Sequence, residues 1–357
     1  MYTDNNFAVI MAGGIGSRFW PMSRTHKPKQ FIDILGTGET LIQQTFNRLH
    51  KLCPYENILV VTNSIYRDLV AQQLPEMPAE NILCEPCRRN TAPCICYAYN
   101  KIALKNPNAR MIVAPSDHII MKEDIFVDVA EYALESSSKS DCLITIGILP
   151  SRPDTGYGYI KIDNDGSHKL NERIDKVLAF KEKPDLETAK MFLADGSYVW
   201  NSGIFIWSVE SIRKAFVRYL PDIDEAFAKG VGLYNTENET DFVNRTYEAC
   251  RNISIDFGVM EHANNVYVCR CDLGWSDLGT WVSLFENSPK NADNNVIKGN
   301  VTAFDSKNCI IRAPEGKQVA VLGIKDLIII DEGDVLLICD KSKEQQIKDV
   351  VSAVSTK

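Results

Sequence analysis

The chain has 357 residues, 45% of them hydrophobic and 24% charged, and a formal net charge of −8; it is too long for one ordinary core and apolar enough to fold around more than one. An acidic balance without an extended basic face speaks against a nucleic-acid polymer as partner, and no apolar run approaches the roughly 20 residues of a membrane span. A polar N-terminus without a leader pattern and an odd eleven cysteines, scattered through periodic segments, fit a cytoplasmic protein with buried free thiols better than a disulfide framework.

Phe7–Met11 is a short apolar run of the kind a buried parallel strand needs, and Gly13, Gly14 and Gly16 follow it. Glycines let backbone amides approach a ligand without Cβ clash. No carboxylate occurs between Asp4 and Asp33, while Arg18, Arg24, Lys27 and Lys29 supply cations. The segment therefore predicts a cradle for an anionic, polyphosphate ligand. A P-loop is disfavoured because no Gly-Lys-Ser/Thr follows either glycine, and a dinucleotide fingerprint because its third glycine would fall on Phe19.

Further strand-like runs lie at Ile58–Thr62, Asn81–Cys84, Met111–Ala114 and Cys142–Ile148, with helical patterns at Leu41–Lys51, Ile65–Leu74, Thr91–Lys105 and Glu123–Ser137. This alternation predicts right-handed βαβ units and an α/β fold, Rossmann-like, with a mixed but mostly parallel sheet whose strand C-termini carry the ligands. Thr155–Ile162 and Val177–Lys183 read as an antiparallel insertion, and Trp200–Trp207 and Val266–Cys271 as further strands. Residues 1–288 are expected to form the first domain. Residues 289–357 read as a small, solenoid-like β-structure, with strands at Asn300–Phe304, Cys309–Arg312, Val319–Ile324, Leu327–Ile330 and Val335–Cys339 and a capping helix at Lys343–Val354.

Several strand ends carry reactive groups. Asp117 follows Met111–Ala114, and Asp277 lies in a Gly/Ser-rich turn after Val266–Cys271; two hard oxygen ligands beside substrate phosphates suit Mg²⁺. Either aspartate could instead cap a helix. Glu182, Lys183 and Asn201 offer an acceptor, a cation and an amide for a sugar phosphate, with Tyr157 and Gly158 lining the pocket, although a surface turn and a hairpin fit the same residues. Glu85 ends a strand, and Asn90 or Thr91 caps the helix that follows, with Pro93 in its first turn. Cys84-x₂-Cys87 with Cys94-x-Cys96 invites a zinc reading, which the single intervening residue of the second pair disfavours.

Taken in order, AGGIGSRFWPMSR-x₃-PKQF, EP-x₂-RNTAP, APSDH, TGYGYI, FKEKP, WNSGIF and GWSDLGTW resemble the motifs of the sugar-phosphate nucleotidyltransferases, from Val9 to Trp281. The final segment is similar to that family's small β-domain. The resemblance points to the branch acting on GTP and mannose 1-phosphate, giving GDP-mannose and pyrophosphate. Glucose or fucose 1-phosphate as substrate, or a non-catalytic regulatory homologue, are the alternatives.

The resemblance implies nucleotide contacts at Ala12, Gly13, Gly14, Gly16, Ser17, Arg18, Glu85, Asn90, Thr91 and Ser116, with Arg18 and Lys29 on the phosphates. Asp117 and Asp277 match the aspartates that bind Mg²⁺, for which Mn²⁺ can substitute. Lys183 falls at the sugar phosphate, and Tyr157, Gly158, Glu182 and Asn201 at the sugar. Arg18, Lys29, Asp117, Lys183 and Asp277 are thus the expected catalytic set, in a homodimer. Departures from the pattern are Phe19, Met22, Lys181 and Arg88, the last beside the base-binding loop. Because the sequence ends at Lys357, the isomerase activity that some relatives carry on a fused domain is not expected.

Overall fold

The computed structural model describes residues 4–14 and 16–355, and its chain divides into two compact units. The first comprises residues up to Gly13 together with Gln43–Ser116 and Ile120–Trp275; the second gathers Gly14–Ile42, Asp117–Ile119 and Ser276–Lys357.

The first unit is built on nine strands: β1 (Asn6–Met11), β2 (Ile58–Asn63), β3 (Ile82–Glu85), β4 (Arg110–Pro115), β5 (Leu143–Ile148), β6 (Tyr159–Ile162), β7 (Ile174–Lys181), β8 (Tyr198–Ser208) and β9 (Val266–Cys271). Their order across the sheet is β3-β2-β1-β4-β8-β5-β9-β7-β6. β3, β2, β1 and β4 run parallel, as do β5 and β9, while β8 enters antiparallel between β4 and β5. β1, β2 and β5 are buried along nearly their whole length, which is why they read as unbroken apolar runs. β6 and β7 form the antiparallel insertion read from the sequence.

Helices α1 (Leu41–His50), α2 (Arg67–Gln73), α3 (Thr91–Lys105) and α4 (Glu123–Ser137) alternate with the early strands. α3 and α4 have the bounds that the sequence predicts, and the Asn90 side chain accepts the Thr91 N–H at the start of α3. α5 (Leu186–Asp195) is capped by Asp185 and stopped by Gly196, and α6 (Val209–Tyr219) is capped by Ser208. α7 (Pro221–Ala228), α8 (Glu239–Ala249) and a π-helical turn at Asp256–Met260 were not foreseen. Their apolar faces pack with α3 and the sheet around Tyr97, Phe216, Phe227 and Tyr247.

In the second unit, α9 (Trp281–Asn287) starts in a capping box of Thr280 and Ser283. Six short strands follow: β10 (Val296–Lys298), β11 (Asn300–Phe304), β12 (Ile310–Arg312), β13 (Gln318–Leu322), β14 (Leu327–Asp331) and β15 (Leu336–Asp340). β10, β12 and β14 stack in parallel register with Val296 on Ile310 and Ile310 on Ile328, β11 pairs in parallel with β13, and β15 closes antiparallel on β14. This is the expected solenoid. A 3₁₀ turn at Lys341–Gln346 leads into the final helix α10 (Ile347–Ser355). Phe19, Ile32, Trp281, Leu284, Ile330 and Ile347 share one buried core in this unit.

Candidate active site

The glycine loop after β1 is shaped around a lysine. Gly16 has φ +60°, and a Cβ there would lie 2.6 Å from Lys29 Cβ, so only glycine permits the approach. Lys29 is 4% exposed. Its ammonium donates to the carbonyls of Asp277 at 2.8 Å and Leu278 at 3.1 Å and pairs with Asp117 Oδ2 at 2.8 Å. An ammonium has three N–H donors, and all three are engaged. Burial would push the Asp117 carboxyl up, but the Lys29 ammonium, aided by His118 and a backbone N–H, holds it below the usual carboxylate range. Asp277 Oδ1 accepts the Gly279 N–H at 2.9 Å.

Neither aspartate caps a helix: α4 is preceded by Lys122 and α9 is capped by Thr280. Gly16, Arg18, Lys29, Asp117, Asp277 and Lys348 all line one cleft of about 470 Å³ within the second unit. Two carboxylates on one cleft, one of them held ionised, are a hard-oxygen donor set that fits a divalent cation. Gly14 belongs to the same unit, its carbonyl accepting from Gln30 Nε2. Ser17 begins a 3₁₀ turn, and its side chain lies outside the described residues.

A second group of expected residues lies in the first unit. Ala12 is fixed to β2 by its N–H to the Val61 carbonyl and by Thr62 Oγ1 on its own carbonyl. A Cβ on Gly13 would stand 3.3 Å from Glu85 Oε2. Glu85 is buried, accepts the Tyr247 hydroxyl at 2.8 Å, and has its carboxyl pushed up to about 7 by burial. Thr91 Oγ1 accepts the Ile255 N–H, and Ser116 is buried with its N–H on the Met11 carbonyl. Asn90 and Arg88 are both exposed.

The expected sugar contacts also converge there. Tyr157 meets the edges of Trp200 and Trp275 at ring separations of 5.0 and 5.1 Å. Gly158 accepts the Asn201 N–H, and a Cβ on it would run into Glu182 Oε1. Asn201 Nδ2 donates to Asp256 Oδ1 at 2.8 Å, while its Oδ1 accepts the Gly203 N–H at 3.1 Å. Burial raises the carboxyls of both Glu182 and Asp256. Lys183 is largely exposed at φ +44°, with Nζ 3.9 Å from Glu182 Oε2. Sequence reasoning missed Asp256 and Tyr247, because both sit on the helical segments that it left unassigned.

The cysteines are free thiols, and burial pushes those of Cys94 and Cys96 well up. Among the described residues the one trio whose ligand atoms converge is Asp163, Asp165 and His168, in the β6–β7 turn.

A glycine loop leaving a buried strand and a lysine-paired aspartate just beyond another strand lie where open α/β sheets carry their ligand-binding groups. The nucleotidyl transferase family profile matches residues 7–294, and that of the MannoseP isomerase/GMP-like β-helix domain matches residues 299–354. The mannose-1-phosphate guanylyltransferase of Klebsiella pneumoniae is 37% identical over 351 residues, covering 96% of this chain and 72% of that protein. The alginate biosynthesis protein AlgA of Pseudomonas aeruginosa is 36% identical, with 96% and 71% covered. A Thermus thermophilus crystal structure described as a mannose-1-phosphate geranyltransferase superposes with TM-score 0.88 at 29% identity, over 98% of this chain and 99% of that one. The chain belongs to the nucleotidyl transferase family, in its mannose-1-phosphate guanylyltransferase group.

Proposed function

We propose that the chain transfers the guanylyl group of GTP to α-D-mannose 1-phosphate, releasing GDP-mannose and pyrophosphate. The observation that carries this reading is the Lys29–Asp117 pair in a cleft shared with Arg18 and Asp277; the names of the relatives support the choice of substrates. A phosphate monoester oxygen is already ionised at neutral pH, so no general base is needed, and catalysis becomes alignment and charge neutralisation. That oxygen attacks the α-phosphorus; the new P–O bond forms as the bond to the bridging oxygen breaks, and the electron pair leaves on pyrophosphate.

In this reading Lys29 keeps Asp117 ionised and in place, and Arg18 takes up charge on the phosphates. Asp117 and Asp277 would hold Mg²⁺, or Mn²⁺ in its place, and the ion supplies further charge neutralisation when bound. Lys183, exposed and loosely paired, is placed to capture the sugar phosphate. Glu182, Asn201 and Gly158 read the hydroxyls with Tyr157 as a wall, and Gly13, Glu85, Asn90, Thr91 and Ser116 serve the nucleoside. Residues 1–288 form the catalytic domain and 289–357 the β-domain. The same reading includes a cytoplasmic homodimer formed through that β-domain. The dimer is supported by Phe304 and Leu322, which are paired in register and both exposed; among the described residues no helix is long and apolar enough to cross a membrane.

Pyrophosphate release measured with Mg²⁺ across four nucleoside triphosphates and mannose, glucose and fucose 1-phosphates tests the proposal. Release with GTP and mannose 1-phosphate is expected. Release with another pair would move the substrate, and silence from folded protein in every combination would overturn the enzymatic reading.

A further inference from the structure

We infer that Lys348, on the C-terminal helix α10, is an additional polyphosphate-binding residue, so that the small β-domain supplies part of the nucleotide site. The inference deepens the proposed function and rests on it for the identity of the ligand. Its basis is a contrast between the lysines of one cleft. Lys29 has its donors engaged by Asp117 and two carbonyls. Lys348 lines the same cleft, is exposed, and has no side-chain hydrogen bond or ion pair among the described residues.

The backbone that carries Lys348 is nevertheless well held. Its neighbour Ile347 is 1% exposed in the core with Phe19, Trp281 and Ile330. One turn earlier, Glu344 Oε2 accepts the Val282 N–H at 2.8 Å, tying the entry to α10 onto the start of α9. Glu344 lies four residues before Lys348, where a helical ion pair could have formed, but its carboxylate is turned to that backbone N–H. A lysine on a surface helix is ordinarily a solvated cation of no consequence. This one is anchored at the preceding residue and aimed into a cleft that also holds Arg18, Asp117 and Asp277.

Charge supports the same assignment. The cleft sets three cations, Arg18, Lys29 and Lys348, against two carboxylates, in a chain whose net charge is −8. With Lys29 engaged by Asp117, Arg18, which also feels the Glu344 carboxylate, and Lys348 are the cations that face a ligand, and two flexible cations suit the distributed charge of a triphosphate or pyrophosphate. A sugar monophosphate would not need both. Lys348 is thus a binding residue for the triphosphate end of the nucleotide and for the leaving pyrophosphate.

The test is made on the full chain with Lys348→Ala, Lys348→Arg and, as control on the adjoining turn, Lys343→Ala. In steady-state assays Lys348→Ala is expected to raise KM for GTP and the inhibition constant for pyrophosphate roughly tenfold, the scale of one lost charge-assisted hydrogen bond. KM for mannose 1-phosphate should change less than about twofold. Lys348→Arg should recover most of the loss, and Lys343→Ala should match the parent protein. A Lys348→Ala protein with unchanged KM for GTP and unchanged pyrophosphate inhibition would overturn the inference. Calorimetric titration with Mg²⁺-pyrophosphate keeps the two proposals separable. If the parent protein turns over no substrate pair, the functional reading fails; weaker pyrophosphate binding by Lys348→Ala would still support the inference, and equal binding would sink it.

Discussion

The cleft of the second unit and the buried carboxyls of the first treat ionisation in opposite ways. At Asp117 burial works against ionisation, but the Lys29 ammonium at 2.8 Å prevails and the carboxyl is held below its ordinary range. In the first unit Glu85 is buried beside Tyr247, and Glu182 and Asp256 are half-buried around Asn201, where Lys183, exposed and 3.9 Å from Glu182, is too loosely placed to offset what burial does. All three carboxyls are pushed up. An ionised carboxylate suits a metal ion and phosphate chemistry. A carboxyl with a raised pKa, hydrogen-bonded to the hydroxyl of Tyr247 or the amide of Asn201, suits the neutral donors of a base or sugar. The two environments divide the work that the proposed reaction requires.

Removing the cleft's charge is the strongest way to break that contrast. Asp277→Asn should lower turnover at least about 100-fold at saturating Mg²⁺ while circular dichroism shows a folded protein; near-normal turnover would dismiss the metal-binding role of Asp277. The next effect is on pH-dependent stability. Glu85 has a folded pKa of about 7, above its ordinary 4.5, so its contribution is complete below about pH 4.5 and is lost as pH rises through 7. Linkage over a shift of roughly 2.5 pH units sets that loss at about 3 kcal/mol. Glu85→Gln should flatten the stability profile between about pH 4.5 and 7 in urea titrations, and an unchanged slope would show that Glu85 is not the group responsible. Asp117 has the opposite sign, its contribution being lost only as pH falls through its depressed folded value.

The smallest change concerns the loop that seats Lys29. Gly16→Ala forces a side chain into the left-handed region and against Lys29 Cβ, at a cost of about 1–2 kcal/mol. Turnover should fall about tenfold as Lys29 shifts. A variant as stable and active as the parent would mean that the loop is less tightly fitted than its geometry implies.

How much of this could be read beforehand depended on where the signal was local. α3 is bounded by Asn90 and a polar exit, and the buried strands by their composition, so both were legible. β10 was missed because three residues, Val296 to Lys298, carry too little pattern to stand out. α7 and α8 were missed because charged residues interrupt their apolar stripes. The motifs pointed to Asp117, Lys29 and Asp277, but not to the fact that Lys29 commits its donors to the other two segments, which is a property of three-dimensional packing. Nor could any strand-end rule have reached Asp256, which lies on a π-helical turn.

The make-up of the second unit also has a consequence in time. Its core unites Phe19 and Ile32, made early, with Trp281, Ile330 and Ile347, made last, and Phe19 and Ile347 are about 330 residues apart. At roughly 5–20 residues per second, the ribosome needs some 15–65 s to pass from one to the other. Until the end of that interval the aromatic and aliphatic side chains of the glycine-loop segment lack the full set of partners that bury them. The earliest-made part of the reactive centre is therefore among the last parts of the protein to acquire its native surroundings, and a chain that stalls before α10 leaves the ribosome with that segment still unburied.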